Sequence, residues 1–352
     1  MEAKSKKILV VTWGTRGDIQ PMIALCRGFI DAGHEVTLQG PQEGKSMADK
    51  FSIPYLTLSG DMAALLSSPD FHRAIQTQNL ESLKKIKEFE ESLGSIGPEI
   101  LEAAANKDLL VTCFLLAGNV WLVHKKTNIP MVIVTFQPLT PTKEFGAFLS
   151  PDVFTSDFSK NLVSWEKMLY FAGHICDSAV SKYWKSWGLG SEEPKFGPLG
   201  VWSEFHDNKI PQIEAYSIEA IGKRPEDYPD FVKILGYFEL QATGPLDPKI
   251  EEFLQKDPEN KPVLVTFGSM AFVQPQMLTD LAVAIIEKLG KRVILSGGWI
   301  KVEEFDNSII ENENLLLIQE APYDLLFPRC STIVHHGGAG TTGTALIVQC
   351  AV

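Results

Sequence analysis

The chain has 352 residues, 45% of them hydrophobic, which is enough for two domains with a sizeable core in each and rules out a small stapled scaffold. Its 32 basic against 44 acidic residues give a formal charge of −12, and this balance excludes the broad positive footprint that nucleic-acid binding needs. Five scattered cysteines with no CxxC pair read as reduced thiols of a cytoplasmic protein. The basic N-terminus precedes an apolar run too short for a secretory signal, and no later stretch holds about 18 consecutive apolar residues, which leaves only peripheral membrane contact open.

The first predicted strand is KILVVTW, apolar and β-branched, and IALCRGFIDAGH has apolar residues at helical spacing. Between them VTWGTRGDIQP (residues 11–21) is a strand-to-helix turn. Gly14 and Gly17 permit a tight path, but Arg16 and Asp18 are more than a plain turn requires. Asp18 suits a helix N-cap, with Pro21 in the first turn, and it equally suits a chemical role; the residues alone leave both readings open.

HEVTLQG, LLVTCFLL and MVIVTFQP follow as strands, separated by charged helical segments such as SLKKIKEFEESLG. That alternation predicts a parallel sheet covered on both faces. From about residue 143 to 202 the pattern turns to aromatic-rich amphipathic stretches, read as long helices over one side of a pocket. A segment rich in Pro, Gly and charge, 241–261, reads as a linker. The alternation then restarts with PVLVTFGSM, KRVILSGGW, NLLLIQEA and STIVHHGGAGTTG. The expected class is α/β, with two tandem Rossmann-like doubly wound domains, 1–240 and 262–352.

In STIVHHGGAGTTGTALIVQ a β-branched run enters a glycine-rich turn and a helix follows. Backbone N–H groups and the positive helix end then converge on one spot suited to a phosphate. Residues 338–343 satisfy GxGxxG, but a nicotinamide-binding domain needs an acidic ribose contact about twenty residues later, and none occurs before Val352. His335 and His336 have no use in such a turn, whereas an imidazole facing a leaving diphosphate has one. A glycine-rich turn without ligand is the bland competitor.

GTRGDIQP, RPEDYPDFVKILGYF, VTFGSM and HHGGAGTT, in this order, resemble the landmarks of the sterol glucosyltransferases and the antibiotic-aglycone glycosyltransferases, enzymes of the GT-B fold. QPLTPTKEF resembles an acceptor-side segment of the same family. The resemblance covers nearly the whole chain. It implies inverting transfer of a hexosyl group, glucose by this likeness, from a UDP-sugar to a hydroxyl of a sterol or other lipophilic acceptor, with no further cofactor. It makes Asp18 the general base, which desolvation would strengthen. It places Thr15, Arg16, Gly17, Ser269, Trp299, Ala321, His335, His336, Gly337, Gly338, Gly340 and Thr341 around the donor. Motif alignment favours His335 over His336 at the phosphate, Trp299 could stack on the uracil, and Ala321 with Pro322 would read the base edge. The absence of a DxD pair implies no metal clamp. Phe136, Phe145, Trp165 and His174, with Tyr183 and Trp184, are candidates for the acceptor wall, although such an aromatic stripe also suits a core.

The relatives continue past this turn through a further strand with an aspartate-glutamine pair for the sugar hydroxyls. The expectation is therefore an incomplete C-terminal domain, from a fragment or incomplete gene, with a non-catalytic lipid- or nucleotide-binding remnant as the alternative.

Overall fold

The computed structural model describes residues 4–60, 96–147, 157–192, 200–242, 244–268, 274–298 and 312–351, with isolated positions between them, and for 170–179 the backbone alone. These residues form two compact units, Met1–Phe238 and Glu239–Val352.

Unit 1 contains β1 (Lys7–Val11), α1 (Arg16–Asp31), β2 (Glu35–Gly40), α2 (Lys45–Lys50), β3 (Tyr55–Thr57), β4 (Leu109–Cys113), α3 (Ala117–Thr127), β5 (Met131–Thr135), α4 (Phe158–Tyr183), α5 (Val201–Asp207), β6 (Gln212–Glu214) and β7 (Val232–Ile234). Its seven strands run parallel in the order β3-β2-β1-β4-β5-β6-β7. Ile8, Leu9, Val10 and Val11 are all buried, because both sheet faces are covered; hence the run is continuously apolar rather than alternating. The strand order reverses between β1 and β4, and in open α/β sheets ligands bind at the carboxyl edge of such a reversal.

The aromatic-rich stretch ends in this core. Trp13, Trp121, Trp165, Tyr183, Trp202 and Phe205 pack together with Leu9, Val11 and the inner face of α3. SLKKIKEFEESLG falls outside the described residues.

Unit 2 contains α6 (Pro248–Gln255), β8 (Val263–Thr266), α7 (Pro275–Leu289), β9 (Val293–Ser296), β10 (Leu315–Ile318), α8 (Tyr323–Leu326), β11 (Thr332–His335) and α9 (Ala339–Ile347). Four parallel strands run in the order β10-β9-β8-β11, so the second reversal lies between β8 and β11. α7 starts on Pro275 and stops at Gly290, whose left-handed conformation (φ 63°) ends the helix.

The stretch 241–261 is not a plain connection. α6 lies within it, and Ile250, Phe253 and Leu254, spaced three and four residues apart, enter the core of unit 2. Asp247 caps α6 by accepting from Lys249 N at 2.8 Å. Arg292 is buried and donates to the carbonyls of Phe253, Asp257 and Asn260, which fastens the end of α6 to the start of β9. Composition pointed to a linker, and the apolar spacing inside it decided otherwise. Among the described residues no helix is long and apolar enough to cross a membrane.

Candidate functional site

The turn after β1 is closed by its own side chains. Thr15 is the N-cap of α1 in an extended conformation (φ −88°, ψ −177°). Its hydroxyl accepts from Gly17 N at 3.3 Å, while Asp18 Oδ2 accepts the Thr15 N–H at 2.8 Å and the Thr15 hydroxyl at 3.3 Å. This reciprocal pair is a capping box. Asp18 is therefore not the N-cap that its residue type suggested; it stands at the third helical position, and Pro21 lies inside the helix beyond the first turn. Both capping contacts fall on Oδ2, which leaves Oδ1 outside the box.

Asp18 is partly exposed as a residue, yet protein atoms crowd its carboxyl. Burial outweighs the two Thr15 hydrogen bonds, which act in the opposite direction, and the Asp18 pKa is pushed up to about 6. Gly14 makes this approach possible: at φ 131° it has a backbone that side chains rarely adopt, and a Cβ there would overlap the Asp18 carboxylate. The Thr12 hydroxyl holds the Asp18 carbonyl at 3.0 Å.

Cys113, at the end of β4, comes close enough for the Asp18 charge to add to burial in pushing its thiol up to about 11. In the sequence Cys113 is only one of five scattered cysteines. What makes it a neighbour of Asp18 is the β1–β4 pairing, which no local pattern reveals. Arg16 is exposed, and its Nε donates to Gln20 Oε1 at 3.0 Å.

The turn after β11 is built differently. α9 starts after Gly338, and no side chain caps it, so the N–H groups of Ala339, Gly340 and Thr341 project from the first turn unclaimed by the helix. The Gly337 N–H donates to His335 Nδ1 at 3.1 Å. That bond puts the neutral ring's proton on Nε2, which makes this nitrogen a donor. Burial lowers the pKa of His335, and burial with the His335 neighbour lowers that of His336, so both rings are neutral near pH 7.

The two histidines separate by packing. His336 is wedged between two glycines: a Cβ on Gly338 would overlap its ring, and one on Gly268 would lie 3.0 Å from its Cε1. Phe267 tilts against it with ring centroids 6.4 Å apart. His336 thus fills the space between the turns after β8 and β11, and His335 is the one whose tautomer is fixed by a hydrogen bond. Thr266 at the end of β8 shares a 2.6 Å hydrogen bond with Tyr323 at the start of α8, beside the buried Ala321.

Ser269 and Trp299 lie outside the described residues, as does the side chain of His174. Phe136 is buried at the end of β5 and Phe145 is half-buried. Trp165 is only 1% exposed; it lies in the core, where its Nε1 donates to the Phe145 carbonyl at 2.9 Å. Tyr183 belongs to the core cluster of unit 1, and Trp184 packs against that cluster, stacked on Trp121.

Residues 8–145 match the glycosyltransferase family 28 N-terminal domain. The chain is 26% identical over 98% of its length to a sterol 3-beta-glucosyltransferase of Arabidopsis thaliana, of which it covers 55%, and 29% identical over 98% of its length to one of Vanderwaltozyma polyspora, of which it covers 28%. It thus spans about half the length of the first relative and about a quarter of the second. Among solved structures it is similar to the Streptomyces sp. SF2575 glycosyltransferase SsfS6 complexed with thymidine diphosphate (TM-score 0.59, 18% identity, covering 98% of this chain and 80% of that one). It is similar also to the glycosyltransferase SnogD of Streptomyces nogalater (TM-score 0.61, 19% identity, covering 99% and 80%). With two parallel sheets of reversed strand order and these likenesses along its whole length, the chain has the GT-B glycosyltransferase fold and is similar in sequence to the sterol 3-beta-glucosyltransferases.

Proposed function

We propose that the protein transfers a hexosyl group, glucose by likeness to its relatives, from a UDP-sugar to the hydroxyl of a sterol or similarly lipophilic acceptor, with inversion and without a metal ion. The observation that carries this reading is Asp18: a carboxyl held at the carboxyl edge of the β1–β4 reversal, desolvated until its pKa reaches about 6, and so matched to taking a proton near neutral pH.

In the step proposed, Asp18 Oδ1 accepts the acceptor's hydroxyl proton while the acceptor's hydroxyl oxygen bonds to the anomeric carbon. The bond from that carbon to the diphosphate breaks on the opposite face, and UDP leaves with the electron pair. The open N–H groups of α9, the His335 Nε2–H and the Thr341 hydroxyl stabilise the negative charge that develops on the diphosphate. These fixed donors act where a metal ion would in an enzyme with a DxD pair. Thr15, Arg16 and Gly17 lie on the Asp18 turn, and Gly337, Gly338 and Gly340 shape the donor turn.

Incubation with UDP-[14C]glucose and a 3-hydroxysterol in detergent should give a labelled steryl glycoside of β configuration, and UDP should raise the melting temperature by mass action. A protein stabilised by NADH and not by UDP would overturn the reading in favour of a dinucleotide site. Binding of sterol and UDP without any transfer would favour a non-catalytic binding protein instead.

A further inference from the structure

Two carboxylates of unit 1 take no part in the step above, yet both grip the same loop. Glu214, the last residue of β6, is fully buried. Its Oε1 accepts from the N–H groups of Leu139 (3.1 Å) and Thr140 (3.0 Å), the Thr140 hydroxyl (2.7 Å) and Gln212 Nε2 (3.2 Å), and its Oε2 accepts from the Tyr216 hydroxyl (2.5 Å). All five donors are neutral. Burying a carboxylate carries a large desolvation cost, and this one is offset by hydrogen bonds that converge on residues 139–140.

Asp227 holds the next part of the loop. It accepts the Thr142 hydroxyl at 2.6 Å and the Lys143 N–H at 2.8 Å. Glu144 answers by accepting from Glu226 N at 2.7 Å, with Lys223 Nζ 3.4 Å from its other oxygen. The Arg224 guanidinium braces the segment that carries Asp227, residues 224–229, through the carbonyls of Tyr228 (3.0 Å) and Pro229 (2.9 Å). From the third side α4 contributes Asn161 Nδ2 to the Lys143 carbonyl (2.7 Å), Ser164 Oγ to the Ala147 N–H (2.8 Å) and Trp165 Nε1 to the Phe145 carbonyl. RPEDYPDF and QPLTPTKEF, far apart in sequence, therefore form one clasped unit.

The loop opens from the end of β5, and β5 pairs with β4, which pairs with β1. It therefore rises from the same sheet edge as Asp18, where α/β sheets bind their ligands, with Phe136 and Phe145 at its two ends. We propose that Glu214 and Asp227 are positioning residues that hold residues 136–147 as a preformed wall for the lipophilic acceptor. This inference rests on the glycosyltransferase reading. A wall fixed in advance avoids the ordering cost that a mobile loop would incur when the acceptor binds.

Asp227 is exposed, so its removal leaves the core intact. In the full chain, Asp227→Ala removes both the Thr142 and the Lys143 hydrogen bonds and should raise the acceptor KM about ten-fold or more, with donor KM and UDP affinity unchanged. Asp227→Asn, which keeps an oxygen for Thr142, should restore most of the loss. Titrating the sterol against tryptophan fluorescence gives the same comparison as a Kd without turnover. An unchanged acceptor KM and Kd in Asp227→Ala, or an equal rise in donor KM, overturns the inference alone. A wild-type chain that binds neither sterol nor UDP overturns the underlying reading with it.

Discussion

The turns after β1 and β11 both lead from a parallel strand into a helix N-terminus, and they treat that terminus in opposite ways. At α1 the protein supplies its own anion. Thr15 and Asp18 take up the N–H groups of Gly17 and Thr15, and the carboxylate that completes the capping box is the one whose pKa is raised. At α9 nothing caps the helix; three glycines and a histidine with a fixed tautomer leave the N–H groups to an external anion. One terminus is filled and holds a base, whereas the other is open and suits a diphosphate. The difference rests on four side-chain contacts rather than on topology, since both sheets reverse order in the same manner.

The comparison breaks most visibly at Asp18. Asp18→Asn keeps an oxygen for the Thr15 N–H and so preserves much of the cap, but it removes the basic group. Turnover at saturating acceptor should fall about 10²- to 10⁴-fold, with UDP affinity unchanged in calorimetry. Stability should move the other way. The folded pKa lies above the ordinary aspartate value, so the contribution is present below pH 4 and is lost as pH rises through about 6. Ionised Asp18 therefore costs the native state at most about 3 kcal/mol at neutral pH, and Asp18→Asn should melt at or above the wild-type temperature at pH 7.5 with no such gain at pH 4.

His335→Ala tests the open terminus. Loss of one donor to the leaving group should cost about 10²-fold in turnover and weaken UDP, while the melting temperature stays near wild type. His336→Ala should show the reverse emphasis, because its ring fills the space between Gly268 and Gly338: a clear fall in melting temperature accompanies any loss of UDP affinity. Equal effects from the two variants would remove the distinction drawn between them. The smallest effect belongs to Thr15→Ala, which should destabilise the fold by about 1 kcal/mol, read from urea unfolding. The same change removes the Thr15 hydroxyl's hydrogen bond to Asp18, one of the two that favour its ionised form, while the backbone N–H bond stays, so the acid limb of the rate profile should shift slightly to higher pH.

How much of this was legible depended on whether the signal was local. KILVV and VLVT are strands at sight because burial on both faces demands unbroken apolar runs. β3, β6 and β7 are three residues each, and β6 carries Gln212 and Glu214 into the interior, so neither length nor hydropathy marked them. The T-x-x-D spacing of Thr15 and Asp18 is the capping-box signature, and reading Asp18 alone missed its partner. For His335 and His336 the resemblance favoured His335 at the phosphate, but the local pattern offered no physical reason for the choice. Adjacent residues at a strand end project to opposite sides, and only the packing of Gly268 and Gly338 against one ring separates them. The clasp between Asp227 and Thr142 joins residues 85 positions apart, beyond any local pattern.

The central claim, that the filled terminus holds a base rather than a cap alone, is tested most directly by the pH dependence of kcat/KM for the acceptor between pH 4.5 and 8.5. Wild type should lose activity on the acid side of an apparent pKa of about 6 as Asp18 takes up its proton, and the small residual activity of Asp18→Asn should lack that limb. A wild-type profile flat across this range, or an unchanged limb in Asp18→Asn, would contradict the account and leave Asp18 as a helix cap.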